Sequence, residues 1–120
     1  MRWGIYKASL DPVCDSEQAG VRPVIVISAD EYNKNMPLVT VIPVTSRKVN
    51  RKIYSNEVLL AEGQGGLPVE SIALVHQIRT ISSSRLDKKY GIIEDRNIKK
   101  QIQFALIKHL DLMEDFLDYA

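Results

Sequence analysis

Pro23-Val24-Ile25-Val26-Ile27-Ser28 is the stretch whose reading decides how the rest of the chain is arranged. Val24 to Ile27 is the most apolar run in the protein, and all four residues are β-branched. Such side chains are stiff at χ1 and pack well on a pleated surface, so the run predicts a buried strand. Pro23 at its start agrees, because proline is tolerated at the first residue of a strand. Directly upstream lies the polar segment Asp15-Ser16-Glu17-Gln18-Ala19-Gly20-Val21-Arg22, with a carboxylate at Glu17, a guanidinium at Arg22 and a glycine that can turn the backbone. A charged loop hung on a rigid strand is one way to hold reactive groups in place. A solvated hairpin connection is the other reading of the same residues.

On either side of this strand the chain keeps to short extended pieces. Arg2 to Leu10 alternates loosely, with Trp3, Ile5 and Tyr6 available to a core, and Asp11-Pro12 ends it because proline lacks a ladder donor. Ala29 to Pro37 is a polar connection with room for one helical turn capped by Ser28. Leu38 to Val44 forms a third strand, and Pro43 within it predicts an edge position or a bulge. Ile53 to Leu60 forms another. Gly63 to Pro68 is rich in turn residues but has neither the lysine nor the following helix of a phosphate-binding P-loop. Ser71 to Ile81 is extended again, which would point Gln77 and Arg79 the same way. After the Ser82-Ser83-Ser84 turn a brief strand is expected at Tyr90 to Ile93. Ile98, Ile102, Ala105 and His109, widened by Leu106, Leu110 and Met113, then follow helical spacing for core or dimer packing. Glu94 and Asp95 sit at the positive end of that helix. About six strands and one C-terminal helix predict a mainly β protein: a small, strongly bent antiparallel barrel with a helix against it.

Composition sets the outer bounds. At 120 residues with 45% hydrophobic and 26% charged residues, the chain has enough apolar material for one folded domain and too much for a disordered one. No apolar run approaches the ~18 residues of a membrane span, and Met1-Arg2-Trp3-Gly4 lacks the pattern of a secretion leader. Cys14 is the single cysteine, which fits a reducing cytoplasm. The net charge of +1 hides an asymmetry: Arg47, Lys48, Arg51 and Lys52 cluster in one loop, while Asp111, Glu114, Asp115 and Asp118 fall in the last ten residues. The body is therefore more basic than the total, and a polyanionic partner is reasonable.

The chemistry open to these residues is limited. His76 and His109 are far apart in sequence and there is no HExxH or CxxC spacing, so metal chemistry finds little support. Cys14 with His76 as its base is an arrangement that nothing in the sequence brings together. Thr45 and Ser46 stand where a strand gives way to the basic loop, placed either to aim a hydroxyl into a site or merely to satisfy local backbone. A carboxylate, a guanidinium and a hydroxyl beside a basic loop suit a phosphodiester. Arginine's donor fork matches phosphate oxygens. RNA brings its own nucleophile, the 2′-hydroxyl, so that route needs no metal and no cofactor.

Leu10-Asp11-Pro12, Ser16-Glu17-Gln18-Ala19-Gly20-Val21-Arg22-Pro23-Val24 and Ile42-Pro43-Val44-Thr45-Ser46 together resemble the MazF/PemK family of toxin endoribonucleases. Ser71-Ile72-Ala73-Leu74-Val75-His76-Gln77-Ile78-Arg79-Thr80 and Ser84-Arg85-Leu86 continue the likeness, in family order, over about residues 2–110. The resemblance implies an SH3-like barrel of the MazF/Kid/CcdB type, working as a homodimer in the cytoplasm. It implies cutting of single-stranded RNA at short sequences, without metal, to 2′,3′-cyclic phosphate and 5′-hydroxyl ends. It also implies a cognate MazE-like antitoxin whose acidic segment covers the RNA groove. Carried over by position, Arg22 and Thr45 match the family's catalytic arginine and threonine, and Glu17 a glutamate proposed as general base in some members. Gln77 matches a position near bound RNA, and Ser16 and Gln18 shape the loop or touch RNA. Ser46, Arg47, Lys48 and Arg79 are further expected RNA contacts beside them.

Two departures stand out. Many members have Arg-Gly-Asp-Ile-Tyr where this chain has Arg2-Trp3-Gly4-Ile5-Tyr6, and glycine often occupies the position of Asp15. The expected organisation is one toxin domain over 1–112 and an acidic extension over 113–120. The rival reading is a non-catalytic toxin of the CcdB type that binds a protein target such as gyrase, for which Arg22 would be dispensable.

Overall fold

The computed structural model describes residues 1–114. Its elements are β1 (Gly4–Ser9), β2 (Val21–Val26), α1 (Asp30–Asn35), β3 (Leu38–Ser46), β4 (Val58–Leu60), β5 (Ser71–Ala73), β6 (Arg79–Ser82), β7 (Leu86–Ile92) and α2 (Arg96–Leu110). The strands join, all antiparallel, in the order β4-β5-β3-β2-β1-β7, with β6 also on β3. This is the mainly β fold with a C-terminal helix that the sequence predicts. The acidic extension expected from residue 113 lies outside the described residues from 115 onward.

The apolar run in β2 is continuous because both faces of the strand are covered. Ile25 packs with Ile5, Ile42, Leu60, Ile93 and Ile102 in one core, whereas Val24 and Val26 pack with Ala8, Leu10, Val39, Val41 and Ile81 in a second. A strand buried on one face only would alternate apolar with polar. Helix α2 closes the first core with Ile102 and Ala105, and begins at Asp95, whose carboxylate accepts from the backbone N–H of Asn97 (2.8 Å) and Ile98 (3.4 Å). Leu110 and Met113, expected on the same stripe, are exposed, as is His109.

The structure corrects five local expectations. Pro43 does not mark an edge, because β3 is the central strand. Its Leu38–Val41 half pairs with β6 and its Val44–Ser46 half with β5, so Pro43 sits at the changeover, where a missing N–H breaks no rung. The extended stretch from Ser71 to Ile81 is interrupted by a 3-10 turn at Val75–Gln77, held by Gln77 N–H to the Leu74 carbonyl (2.9 Å), which leaves β5 and β6 as separate strands. The strand expected over Ile53–Leu60 shrinks to Val58–Leu60, while β7 runs from Leu86 rather than Tyr90. Ser28 does not cap α1; its hydroxyl accepts from the Thr40 N–H (3.0 Å) and anchors the helix to β3.

Two glycines close the barrel. A Cβ on Gly66 would fall 2.2 Å from the Tyr90 carbonyl oxygen, and one on Gly91 would fall 2.6 Å from the Gly65 carbonyl. The Gly63–Leu67 turn therefore lies backbone against backbone on β7, joining the β4 end of the sheet to its other edge. The two departures also find their shapes here. Asp15 has φ 48° and Trp3 φ 70°, both in the left-handed region glycine adopts freely. Aspartate tolerates that region well. Tryptophan does not, at a cost of about 1–2 kcal/mol, and Trp3 is held there by burial and by Arg2 and Lys99 over its ring.

Candidate active site

The β2–β3 register pairs Val24 with Pro43, Ile25 with Ile42 and Val26 with Val41. Continued by two residues, it sets Arg22 across from Thr45, where antiparallel neighbours lie within side-chain reach. The side chains do meet: Arg22 Nη1 donates to Thr45 Oγ1 at 3.4 Å. The rest of the guanidinium is steered from the loop before it. Nε donates to the Ala19 carbonyl (3.0 Å), and the Gln18 amide, turned so that its oxygen faces the arginine, accepts from Nη2 (3.0 Å) and Nε (2.8 Å). Of five N–H donors, one on each terminal nitrogen is left without a partner among the described residues.

Gln18 is fixed in turn. Its backbone N–H donates to Gln77 Oε1 at 2.7 Å, across 59 residues of sequence. The 3-10 turn that breaks the Ser71–Ile81 stretch is what brings Gln77 there. Around this bond lie two adjoining cavities. One, of about 490 Å³, is bordered by Gln18, Arg22, Thr45, Ser46, Lys48, Arg51, Glu57, Leu74, His76 and Gln77. The other, of about 620 Å³, is bordered by Cys14 to Gln18, Pro43 and His76 to Arg79. Gln18, His76 and Gln77 belong to both.

The expected site residues divide between these spaces. Arg22, Thr45, Gln18, Gln77, Ser46 and Lys48 gather on the first cavity. Glu17 and Ser16 open onto the second, where the Glu17 carboxylate accepts from the Cys14 backbone N–H at 2.6 Å. Arg79 also borders the second cavity, and its guanidinium donates to the Leu10 carbonyl (3.2 Å), tying the start of the 11–20 loop to β6. Arg47 borders neither. It donates from Nε and Nη2 to the Arg51 carbonyl (3.1 and 3.0 Å) and pairs with Glu70 at 3.4 Å. Cys14 and His76 share the second cavity, yet no hydrogen bond links them among the described residues.

Three bordering residues lie outside the expected catalytic and RNA-binding set: Arg51, read from the sequence only as one base of the basic loop, Glu57, and His76, considered there only as a base for Cys14 or a metal ligand. Arg51 and Glu57 form a bidentate pair, Nη1 to Oε1 and Nη2 to Oε2, both 2.9 Å, with the Glu57 side chain only 3% exposed. The Tyr54 N–H adds a third donor to Glu57 at 3.0 Å. The Arg51 hydrogen bonds hold the Glu57 carboxyl below its usual range, outweighing burial, and Glu57 in turn raises Arg51. A glutamate six residues after an arginine in a polar loop gives no periodic signal. His76 is the third, its Nδ1 buried without a hydrogen-bond partner among the described residues and its ring set edge-on against His109 at 6.4 Å.

A fixed guanidinium beside a hydroxyl, in a cavity edged with further bases, can grip a phosphate and stabilise added charge on it. Comparison with known proteins points the same way. A profile of the PemK-like, MazF-like toxins of type II toxin–antitoxin systems matches residues 1–110. The chain is 36% identical over 99 residues to the endoribonuclease MazF of Staphylococcus saprophyticus, covering 82% of each. Its fold superposes on MazF from Deinococcus radiodurans with a TM-score of 0.72 at 26% identity, over 92% of this chain and 94% of that one. A mycobacterial endoribonuclease solved in complex with its cognate antitoxin shares the fold, with a TM-score of 0.75 at 19% identity, over 93% and 95%.

Proposed function

The chain belongs to the PemK-like, MazF-like toxins of type II toxin–antitoxin systems and is a MazF-type endoribonuclease, and we propose that it cuts single-stranded RNA by attack of the 2′-hydroxyl on the adjacent phosphate. The observation that carries this reading is the meeting of Arg22 and Thr45 across two neighbouring strands. The 2′-oxygen forms a bond to phosphorus as its proton leaves. The P–O5′ bond then breaks, and the 5′-oxygen takes up a proton, giving a 2′,3′-cyclic phosphate and a 5′-hydroxyl. Arg22, with its unpaired terminal N–H groups, neutralises the charge that gathers on the phosphoryl oxygens and assists the leaving oxygen. Thr45 positions the phosphate. Glu17, or a group it orients, receives the 2′-proton. Its place on the neighbouring cavity makes it the less demanding of the three.

Gln18 and Gln77 join the loop to the 3-10 turn between the cavities, so RNA crossing from one to the other meets both. Ser16, Ser46, Lys48 and Arg79 border its path, and Arg47 braces the loop beside it. The same basic rim suits the acidic segment of a MazE-like antitoxin. A homodimer would cover apolar residues that α2 and the turn after it leave exposed, among them Phe104, Leu110, Leu112 and Met113. No helix among the described residues is long and apolar enough to cross a membrane, and we place the protein in the cytoplasm with its RNA. The gyrase-type alternative, in which Arg22 is dispensable, is not favoured.

The test is Arg22→Ala assayed on a long single-stranded RNA, with product ends mapped in the presence and absence of EDTA. Loss of acid–base and charge assistance predicts a fall of about a hundred- to ten-thousandfold, in a protein that keeps its far-UV spectrum. Wild-type cleavage should persist in EDTA. An Arg22→Ala protein cutting at the wild-type rate refutes the assignment.

A further inference from the structure

Arg51 reaches the Arg22–Thr45 cavity in a state unlike that of a solvated loop arginine. A guanidinium has two edges able to take a paired acceptor: the two terminal nitrogens form one, and Nε with Nη2 forms the other. In Arg51 the first edge is filled by both oxygens of buried Glu57, and the remaining Nη1 hydrogen goes to the Lys52 carbonyl at 2.7 Å. Its backbone is also pinned, because Arg47 holds the Arg51 carbonyl with two donors. The second edge, Nε–H with one Nη2–H, has no partner among the described residues, and Arg51 borders the cavity it shares with Arg22.

An arginine held this way loses little freedom on binding, so its open fork is prepaid for a planar pair of acceptors. The acceptors that accompany a scissile phosphate in RNA are the non-bridging oxygens of the next phosphate along the strand. We propose that Arg51, braced by Glu57 and Arg47, is a second phosphate fork. It grips one of the two phosphates flanking the cleaved one and so sets the register in which the strand meets Arg22. This rests on the endoribonuclease reading above. Glu57 is a positioning residue: it aims the fork without touching RNA.

The experiment pairs protein variants with single-site neutralisation of the RNA. A short RNA centred on a mapped cleavage site is made uncleavable by a 2′-deoxy nucleotide at the attacking position. Methylphosphonates are placed singly at the two flanking phosphates. Arg51→Gln alone would strand a buried carboxylate, so the main variant is Arg51→Gln with Glu57→Gln. Arg51→Lys, which keeps the charge but not the fork, is the second. On the all-phosphate RNA both variants should bind roughly 10- to 100-fold more weakly than wild type. On the RNA neutralised at one flanking position, wild type and variants should bind alike, because the contact is already gone. If the variants bind the all-phosphate RNA like wild type, the proposal is overturned. The same holds if their defect is undiminished on both neutralised RNAs, since the loss would then be structural. A wild-type protein that cuts no RNA would instead sink the endoribonuclease reading, and that is seen at the mapping step before any variant is compared.

Discussion

Replacing Glu57 by alanine should cost far more than its place in a polar loop implies. Its carboxylate takes three donors, two from Arg51 and one from the Tyr54 N–H, and its side chain is 3% exposed. Removing one partner of a buried pair costs about 3–5 kcal/mol when the other is left uncompensated. Here Arg51 is 31% exposed and recovers part of its hydration, which brings the expected loss to about 2–3 kcal/mol. For a domain of this size that is a fall in Tm of about 8–12 °C. The single tryptophan, Trp3, is buried in the main core and reports unfolding by fluorescence, at fixed protein concentration because a dimer would make stability concentration-dependent. The loss should also depend on pH. Folding holds the Glu57 carboxyl below its ordinary value of 4.5, so the unfolded chain binds the proton more readily. The stabilisation is complete above about pH 4.5 and is lost as pH falls through the lower folded value. The gap between Glu57→Ala and wild type should therefore narrow as pH falls below about 4.5. A difference under about 0.5 kcal/mol at pH 7, or one that does not narrow as pH falls below about 4.5, would refute the account of this pair.

Thr45→Ser should keep most cleavage and Thr45→Ala should lose about ten- to a hundredfold, since only the hydroxyl meets Arg22; equal rates for the two would remove the threonine from the site. Glu17→Ala should retain more activity than Arg22→Ala, given its place on the neighbouring cavity, and a loss as deep as that of Arg22→Ala would make it the principal base. Lys48→Ala should lower the slope of log K against log salt by about 0.7, the share of one phosphate contact on a single strand. Arg47→Ala should leave that slope nearly unchanged while loosening the 47–57 loop, because its charge already faces Glu70. A slope moved by Arg47 and not by Lys48 would reverse these roles.

What the sequence by itself determined was local. β-branched runs such as Val24–Ile27, the helical spacing of Ile98, Ile102 and Ala105, and the acid at Asp95 each act within a few residues, where sterics and backbone hydrogen bonding are nearly independent of context. The motifs around Arg22, Thr45 and Gln77 likewise supplied the residue types a phosphodiester site needs. Only the tertiary structure decided how they meet. A strand carries no record of its partner's register, so nothing local set Arg22 across from Thr45, nor showed that Pro43 occupies the changeover between two partners of β3. The turn at Val75–Gln77 breaks an apparently extended stretch because its residues answer to packing rather than propensity, and it delivers Gln77 to the Gln18 N–H. The Arg51–Glu57 pair, too, is a product of the fold, which buries the carboxylate and at the same time supplies the three donors that offset its desolvation.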